Sequence, residues 1–488
     1  MYILKGSEMC MNQELKFKWH SFYGQILKFE KLETAWKQVK ANKGAPGIDG
    51  ETIKEYDRHS YKNLHDLLEK LKEKEYRPSP ARRVYIPKKN GKKRPLGIPT
   101  VEDRIVQQAV VNALQPKFEK NIFHKWSCGY RPNRGIERVL QIIMANLEQG
   151  YNYIYDCDIK GFFDNIPHKK MDRILRKYVA DGTVLKMIWK WLKAGYMEDG
   201  KYLDGDSGTP QGGVISPLLA NIYLNELDWT LAQNNIRFVR YADDFLLFAK
   251  SEDDIKKAEK ITKEVIEELG LEISVEKTKI VNFNDDDFDF VGYTFEHWRK
   301  RKRDGKPYYI AKPKDAMWKD FRQKIKNKTR KTLTKSQKEW VMEVNPVIRG
   351  KTNYYLNLWK AKEANKQFGI PCSCYFNVCY KELLAIDGYI RKRLRVAMIH
   401  RNPTQRKGMA MKTKWNIEFF ARIGLVSAFQ HYYGEQYGHT IEDYVNYMKE
   451  KAQKKLKRAK ERAKEKGEVY YSKWRLQKMK NASTIRTS

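Results

Sequence analysis

RFVRYADDFLLFAK, residues 237–250, sets two adjacent aspartates, Asp243 and Asp244, between two apolar runs of strand length. Burying two neighbouring carboxylates in an apolar sheet carries a heavy desolvation cost, so the pattern predicts a hairpin whose tight turn exposes them. Either aspartate alone would read as turn chemistry. A second acidic strand end changes that: YIYDCDIKGFFDNI, residues 153–166, is an apolar aromatic run leading into Asp156 and Asp158. Side chains alternate along a strand, so these two share one face and Cys157 takes the other. Hard cations need oxygen ligands, and carboxylates delivered by two neighbouring strands can hold a pair of ions about 4 Å apart, the spacing of in-line phosphoryl transfer.

Around this pair the chain is an α+β mixture. Residues 12–80 carry apolar positions at helical spacing in FYGQILKFEKLETAWKQVK and NLHDLLEKLKEK, joined by the turn NKGAPGIDG. RRVYIPKKNGKKRPLGIPT, residues 82–100, predicts a β-hairpin with positive charge at its Asn-Gly tip, followed by a helix over about Val101 to Phe118. Between residues 136 and 300 strands alternate with helices such as KKMDRILRKYV and VLKMIWKWLKAGY, the latter followed by a loop. Beyond about Lys312 strands disappear and the chain turns helical and basic, ending in the low-complexity run KEKAQKKLKRAKERAKEK, residues 449–466. That run reads either as a solvated helix or as an electrostatic contact with RNA phosphates.

Length and charge narrow the function classes. A chain of 488 residues accommodates two to four compact units. A formal net charge of +36, from 96 Lys and Arg against 60 Asp and Glu, implies a polyanionic partner, with nucleic acid ahead of anionic membrane because no amphipathic helix with a bulky apolar face flanks the basic runs. No long apolar run predicts a membrane span, and MYILKGSEMCMNQ lacks signal-peptide character, so a cytoplasmic location is expected. CSCYFNVC, residues 372–379, offers thiols without a histidine pair or a second CxxC and is expected to hold free thiols rather than zinc.

The motifs, taken in order, resemble those of group II intron reverse transcriptases and maturases. YADD (241–244) is similar to the family's catalytic hairpin and DIKGFFDNI (158–166) to its first metal-binding motif. GTPQGGVISPLLANIYLNELD (208–228) resembles the loop and helix that position template and nucleotide. LGLEISVEKTKI (269–280) resembles the motif with a lysine near the leaving pyrophosphate, and FDFVGYTF (288–295) the primer-grip hairpin. Upstream, KANKGAPGIDG (40–50), RPLGIPTVEDRIVQQAV (94–110) and SCGYRPNRG (127–135) resemble the N-terminal extension and finger motifs; downstream, NPVIRGKTNYY (345–355) resembles the start of the thumb and maturase region.

The resemblance implies a right-hand polymerase: an N-terminal extension over 1–80, fingers and palm over 81–300, an all-helical thumb and maturase region over 301–420, and a basic helical region over 421–488. It implies two magnesium ions on Asp158, Asp243 and Asp244, with the Ile159 carbonyl as a further ligand. Phe163 matches the ring beneath the sugar that excludes a ribose 2′ hydroxyl; core packing is its plainer role. Lys89 and Arg94 are expected at the incoming triphosphate, where Arg gives a two-pronged contact and Lys a compact charge. The neighbouring Lys88, Lys92 and Lys93 compete with Lys89 for that role, and Arg131 is expected to support the same pocket. Gln211 is placed beside the nucleotide and Lys277 beside the pyrophosphate. Ser216 is expected to cap a helix beginning at Pro217, and Asp164 to be a helix cap rather than a third metal ligand. Arg349, Lys351, Arg391 and Arg393 combine with nearby aromatics into an expected RNA-gripping surface; the family often has tryptophan where Lys351 stands.

The expected partners are therefore a structured RNA, as template and ribonucleoprotein partner, with a DNA primer and deoxynucleoside triphosphates. The zinc-binding endonuclease that the family often appends has no counterpart in a paired Cys/His array here, so target cleavage is not expected. Two other readings stand beside intron splicing and mobility: an RNA-binding splicing cofactor without polymerase activity, which intact DIKGFFD, PQGG and YADD runs disfavour, and a domesticated antiphage-defence enzyme copying a dedicated noncoding RNA.

Overall fold

The computed structural model of the chain describes residues 18–87, 91, 93–198, 200–205, 207–209, 212–330, 332–376, 379–400 and 414–465. It divides into two compact units, Met1–Ala311 with Lys360–Tyr375, and Lys312–Trp359 with Phe376–Ser488.

A five-stranded sheet organises the first unit, in spatial order Ser127–Cys128, Arg237–Tyr241, Asp244–Ala249, Tyr153–Asp158, Lys279–Asn282. FLLFA is buried along its length because its strand lies between two partners and beneath helices, including Glu252–Glu268; a central strand covered on both faces loses the polar alternation of an edge. The expected hairpin forms, with Tyr241 paired to Asp244 and only Ala242 and Asp243 in the turn. Ala242 takes φ 60°, the left-handed conformation that hairpin twist favours and that costs a non-glycine residue roughly 1–2 kcal/mol.

The turn is held from beneath by Arg240. Its guanidinium grips Asp228 through two nitrogens at 2.7 and 2.5 Å, and also donates to Asn221 Oδ1 (3.0 Å), Ser127 Oγ (2.7 Å) and the Ala242 carbonyl (2.8 Å). Both charged side chains are closed to solvent, at 1% and 0% exposure. Gly129 lets the neighbouring strand approach: it takes φ 77°, and a Cβ there would meet the Ala242 nitrogen at 2.8 Å.

The finger hairpin also forms, Ala81–Pro87 antiparallel to Lys93–Ile98, with residues 88–90 and 92 of its tip outside the described residues. A short hairpin that the sequence reading leaves as loop, Tyr196–Glu198 and Lys201–Leu203, extends this sheet. Its signal is present in the sequence as the Asp199–Gly200 dipeptide. A third sheet holds Phe288–Phe290, Tyr293–Lys300, Pro307–Pro313 and the two-residue strand Cys374–Tyr375, so strands do not end at Lys312. Cys372 and Cys374 are free thiols. The returning segment is fixed where Asn365 Nδ2 donates to the Gln141 carbonyl (3.0 Å) and Ser373 Oγ to Glu148 (3.0 Å).

The second unit is helical among its described residues. The helices Asp315–Lys328, Gln337–Gln367 and Cys379–His400 contribute Trp318, Phe321, Trp340, Ile348, Leu383 and Ile390 to one core. Buried Asp387 orders the next turn of chain: it accepts from Ser427 Oγ (2.5 Å), the Ala428 and Phe429 amides (2.7 and 3.3 Å) and Tyr444 Oη (3.0 Å), satisfying the start of helix Ala428–Tyr437.

Arg240→Met should lower the unfolding free energy by about 3–5 kcal/mol, because it leaves the Asp228 carboxylate buried without its partner. Combining it with Asp228→Leu should recover most of that loss in urea unfolding. Equal losses in the single and double variants would refute the ion pair as the source.

Candidate active site

The register brings the acidic strand ends together: Asp158 pairs directly with Asp244, and Asp243 is the adjacent turn residue. Asp244 keeps an open edge to solvent while protein crowds its other sides. Burial, the Asp243 charge and a hydrogen bond to Asp158 push its carboxyl up to about 7. Burial first, then Asp158, raises Asp243 as well, while Arg94 and Arg240 pull it down.

Lys277 supplies the counter-charge in this arrangement, its Nζ lying 2.6 Å from Asp158 Oδ2. Local stitching places it there: Lys160 N–H donates to the Glu272 carbonyl (2.8 Å), Ser274 N–H to the Asp158 carbonyl (2.8 Å), and Ile159 bridges Ile273. The Ile159 carbonyl thus follows Asp158 within a pinned segment. Among the described residues no three His, Cys, Asp or Glu side chains are drawn close enough to hold one ion as they stand. The donor set still fits a hard divalent cation, because it offers carboxylate oxygens, and burial followed by repulsion between neighbouring acids raises Asp243 and Asp244.

Phe163 lies in the turn Phe162–Asn165 and is 7% exposed, packed edge-on against Tyr130 at 6.2 Å and Phe162 at 5.3 Å. Its carbonyl accepts from Thr209 N–H at 2.7 Å. Gly208 is required there, since at φ 84° a Cβ would come within 2.7 Å of that carbonyl oxygen. The loop that follows reaches the finger hairpin, where a Cβ on Gly212 would meet the Gly97 carbonyl oxygen at 2.6 Å. Gly208 therefore lies against the backbone of Phe163, and Gly212 against the strand carrying Arg94. Arg94 is exposed and near enough to lower Asp243. Lys89 and Gln211 lie outside the described residues.

Several expected site residues are used elsewhere. Arg131 is not brought to the pocket: its side chain is 0% exposed, paired with Glu119 at 2.9 Å, and donates to the His124 and Ser127 carbonyls, both at 2.7 Å. Asp164 lies inside the turn 162–165, and the next helix, His168–Tyr178, begins after Pro167 without a side-chain cap. Ser216 is the first residue of its helix, with Ile215 before it, so it does not cap. In the second unit Arg349 is exposed, whereas Lys351 pairs with Asp320 at 2.6 Å, Arg391 is buried and donates to Tyr444 Oη (3.1 Å), and Arg393 donates to the Thr329 carbonyl (2.9 Å). Arginine in an aromatic, basic helix reads as RNA contact in sequence, but a guanidinium can equally close a helix end or a buried cluster.

Tyr130 and Arg240 are the residues that sequence reading missed. Tyr130, at φ 56°, faces Phe163 and is raised by burial and then by Asp243. Arg240 had a signal, a cation inside the apolar strand RFVRY with an aspartate inside the apolar helix before it.

The family profile described as reverse transcriptase (RNA-dependent DNA polymerase) matches residues 86–295. Protein YkfC of Escherichia coli K12 is 34% identical over 323 residues, covering 58% of this chain and 84% of YkfC. The group II intron-encoded protein LtrA of Lactococcus lactis is 40% identical over 221 residues, covering 45% of this chain but 36% of LtrA. Among solved structures, telomerase from Candida albicans in complex with a fragment of telomeric RNA aligns with TM-score 0.38 and 13% identity over 75% of this chain and 67% of that one. With its paired acidic strand ends, its YADD turn and a relative matched over most of its length, the chain belongs to the family of group II intron reverse transcriptases and maturases.

Proposed function

We propose that this reverse transcriptase extends a DNA primer on a structured RNA template through two magnesium ions, held by Asp158, Asp243, Asp244 and the Ile159 carbonyl. The observation that carries the reading is the direct pairing of Asp158 with Asp244 beside a turn that presents Asp243. When bound, the ions would activate the primer 3′ hydroxyl and neutralise charge on the triphosphate. The chain's own residues do the rest. Arg94 receives the triphosphate, with Lys89 as its expected partner. Phe163, backed by Tyr130, closes the space a ribose 2′ hydroxyl would need, and Gln211 positions the nucleotide. Lys277 moves from Asp158 to the leaving pyrophosphate, where its ammonium Nζ can hold a proton close to the departing oxygen.

The bound RNA also serves as a ribonucleoprotein partner in this reading, in which the chain assists intron splicing and mobility. Helix Ile441–Glu465 suits RNA contact: beyond residue 449 it is almost wholly exposed, and its lysines and arginines outnumber its acids. Among the described residues no helix is long and apolar enough to cross a membrane.

Asp243→Asn with Asp244→Asn should reduce primer extension on an RNA template by about a thousandfold or more, with RNA affinity nearly unchanged. Substantial remaining synthesis in magnesium would overturn the assignment of the carboxylates. Phe163→Ala or Phe163→Val should raise ribonucleotide incorporation relative to deoxynucleotide by roughly tenfold or more. An unchanged ratio in competing-nucleotide assays would reduce Phe163 to a packing residue. Deleting residues 449–488 should weaken binding to long structured RNA and flatten its salt dependence, by about 0.7–0.9 in log–log slope per lost phosphate contact, while extension on a short primed template is largely kept. Parallel salt plots for full-length and truncated protein would return the tail to a solvated helix.

A further inference from the structure

A cavity of about 830 Å³ opens in the first unit between helices Phe29–Ala41 and Val101–Asn121 and the segment 132–138. None of the carboxylates Asp158, Asp243 and Asp244 lines it, nor does Phe163 or Arg94. The loop 129–134 separates the two sites: Tyr130 packs on Phe163, while Asn133 and Arg134 line the cavity.

Two arginines on this wall have no carboxylate in direct contact among the described residues, Glu119 acting on Arg134 only from a distance. Arg134 and Arg138 are each partly buried, and burial holds both guanidinium groups below their ordinary range. Among the described residues neither forms an ion pair: Arg134 donates to the Lys125 carbonyl (2.8 Å) and Arg138 to Gln141 Oε1 (2.6 Å), which engages one nitrogen of each. Glu119, the only carboxylate among the lining residues, is already held by Arg131 at 2.9 Å. Partly desolvated cations facing a cavity are costly unless an anion meets them, and a guanidinium fork matches phosphate geometry.

The opposite wall has a different chemistry. Gln38 and Asn112 hydrogen-bond across the two helices at 2.8 Å. Pro116, inside its helix, removes the N–H that the Asn112 carbonyl would otherwise accept. Ala109, Ala113 and Pro116 give this wall an apolar floor between the amides. Asn112 is used at both ends, since it also accepts from Gln108 Nε2 (2.9 Å), which leaves the Gln25, Gln38 and Gln115 side chains on the wall; a phosphate-binding pair, such amides and an apolar patch, in a cavity within the usual ligand-pocket range of about 300–1,000 Å³, match the parts of a nucleotide.

We propose that this cavity is a second, non-catalytic nucleotide site, in which Arg134 and Arg138 hold a phosphate and the amide wall receives a base. The proposal deepens the reading of the chain as an RNA-copying enzyme, since an unpaired residue of the bound RNA carries this chemistry; a free nucleoside monophosphate shares it.

The test uses the full chain and a fluorescent single-stranded RNA of about twelve nucleotides, followed by anisotropy across a salt series. Arg134→Gln with Arg138→Gln should weaken binding about tenfold and lower the salt slope by about 0.7 per lost phosphate contact. Thr34→Trp, which sets an indole into the cavity from its exposed wall and keeps both arginines, should produce the same loss. Extension of a short primed template reports on the catalytic site separately and should persist in both variants, so a failure of the pocket and a failure of the polymerase reading are distinguishable. Displacement of the RNA by millimolar AMP in the wild type, abolished in the arginine variant, would assign the site to free nucleotides as well; no displacement would assign it to the strand. Wild-type affinity and slope in either variant would overturn the proposal, because an arginine effect without a filling effect means surface attraction, and the reverse means no phosphate is held.

Discussion

The buried guanidinium of Arg240 is the constraint on which the active site depends. It joins three pieces of chain, the strand at Ser127, the helix at Asn221 and Asp228, and its own hairpin, where it holds the carbonyl of the turn residue Ala242. Hairpin turns at sheet edges are usually the softest part of a strand pair, and this one carries a left-handed alanine and an aspartate raised by burial. A rigid cation beneath the turn offsets both. It holds the carbonyl in place by a charge-assisted hydrogen bond and lowers the electrostatic cost of the carboxylate beside it.

The same economy recurs around the site. Backbone rather than side chain sets most of the close approaches, with Gly129 against Ala242, Gly208 against Phe163 and Gly212 against Gly97. Each glycine removes a side chain where two segments must touch, so the ring of Phe163, the finger strand and the catalytic turn are fixed by contacts of main chain on main chain. Such contacts tolerate variation in neighbouring side chains, which suits a scaffold to which YkfC and LtrA are 34% and 40% identical over the matched residues.

How much was legible in the sequence followed from what kind of signal each feature leaves. The palm strands and the turn were legible because apolar runs interrupted by paired acids have few other solutions. The Phe288–Phe290 hairpin was legible through the resemblance of FDFVGYTF to the primer-grip hairpin, and Val291 and Gly292 at φ 39° and 81° supply its two-residue turn. The hairpin at 196–203 was not found, since three-residue strands are too short to show alternation and only the Asp-Gly dipeptide marks them. Charged residues were the hardest. Sequence gives the sign of Arg131, Arg391 and Lys351 but not whether a carboxylate or a helix end lies within reach, and tertiary structure places all three against protein. Arg240 shows the opposite failure, a residue whose importance lies in partners contributed by two other segments and by its own turn.

The first unit is not continuous in sequence: it is interrupted after Ala311 and resumes at Lys360, and its last strand, Cys374–Tyr375, pairs parallel with Pro307–Pro313. A ribosome therefore delivers the sheet edge at 307–313 well before the strand that covers it. During that interval the neighbourhood of Tyr309, fully buried in the finished fold, waits beside an open edge. The two units consequently cannot mature strictly one after the other, and a nascent chain halted between residues 313 and 374 would carry an intact catalytic hairpin on a domain with one exposed, adhesive border.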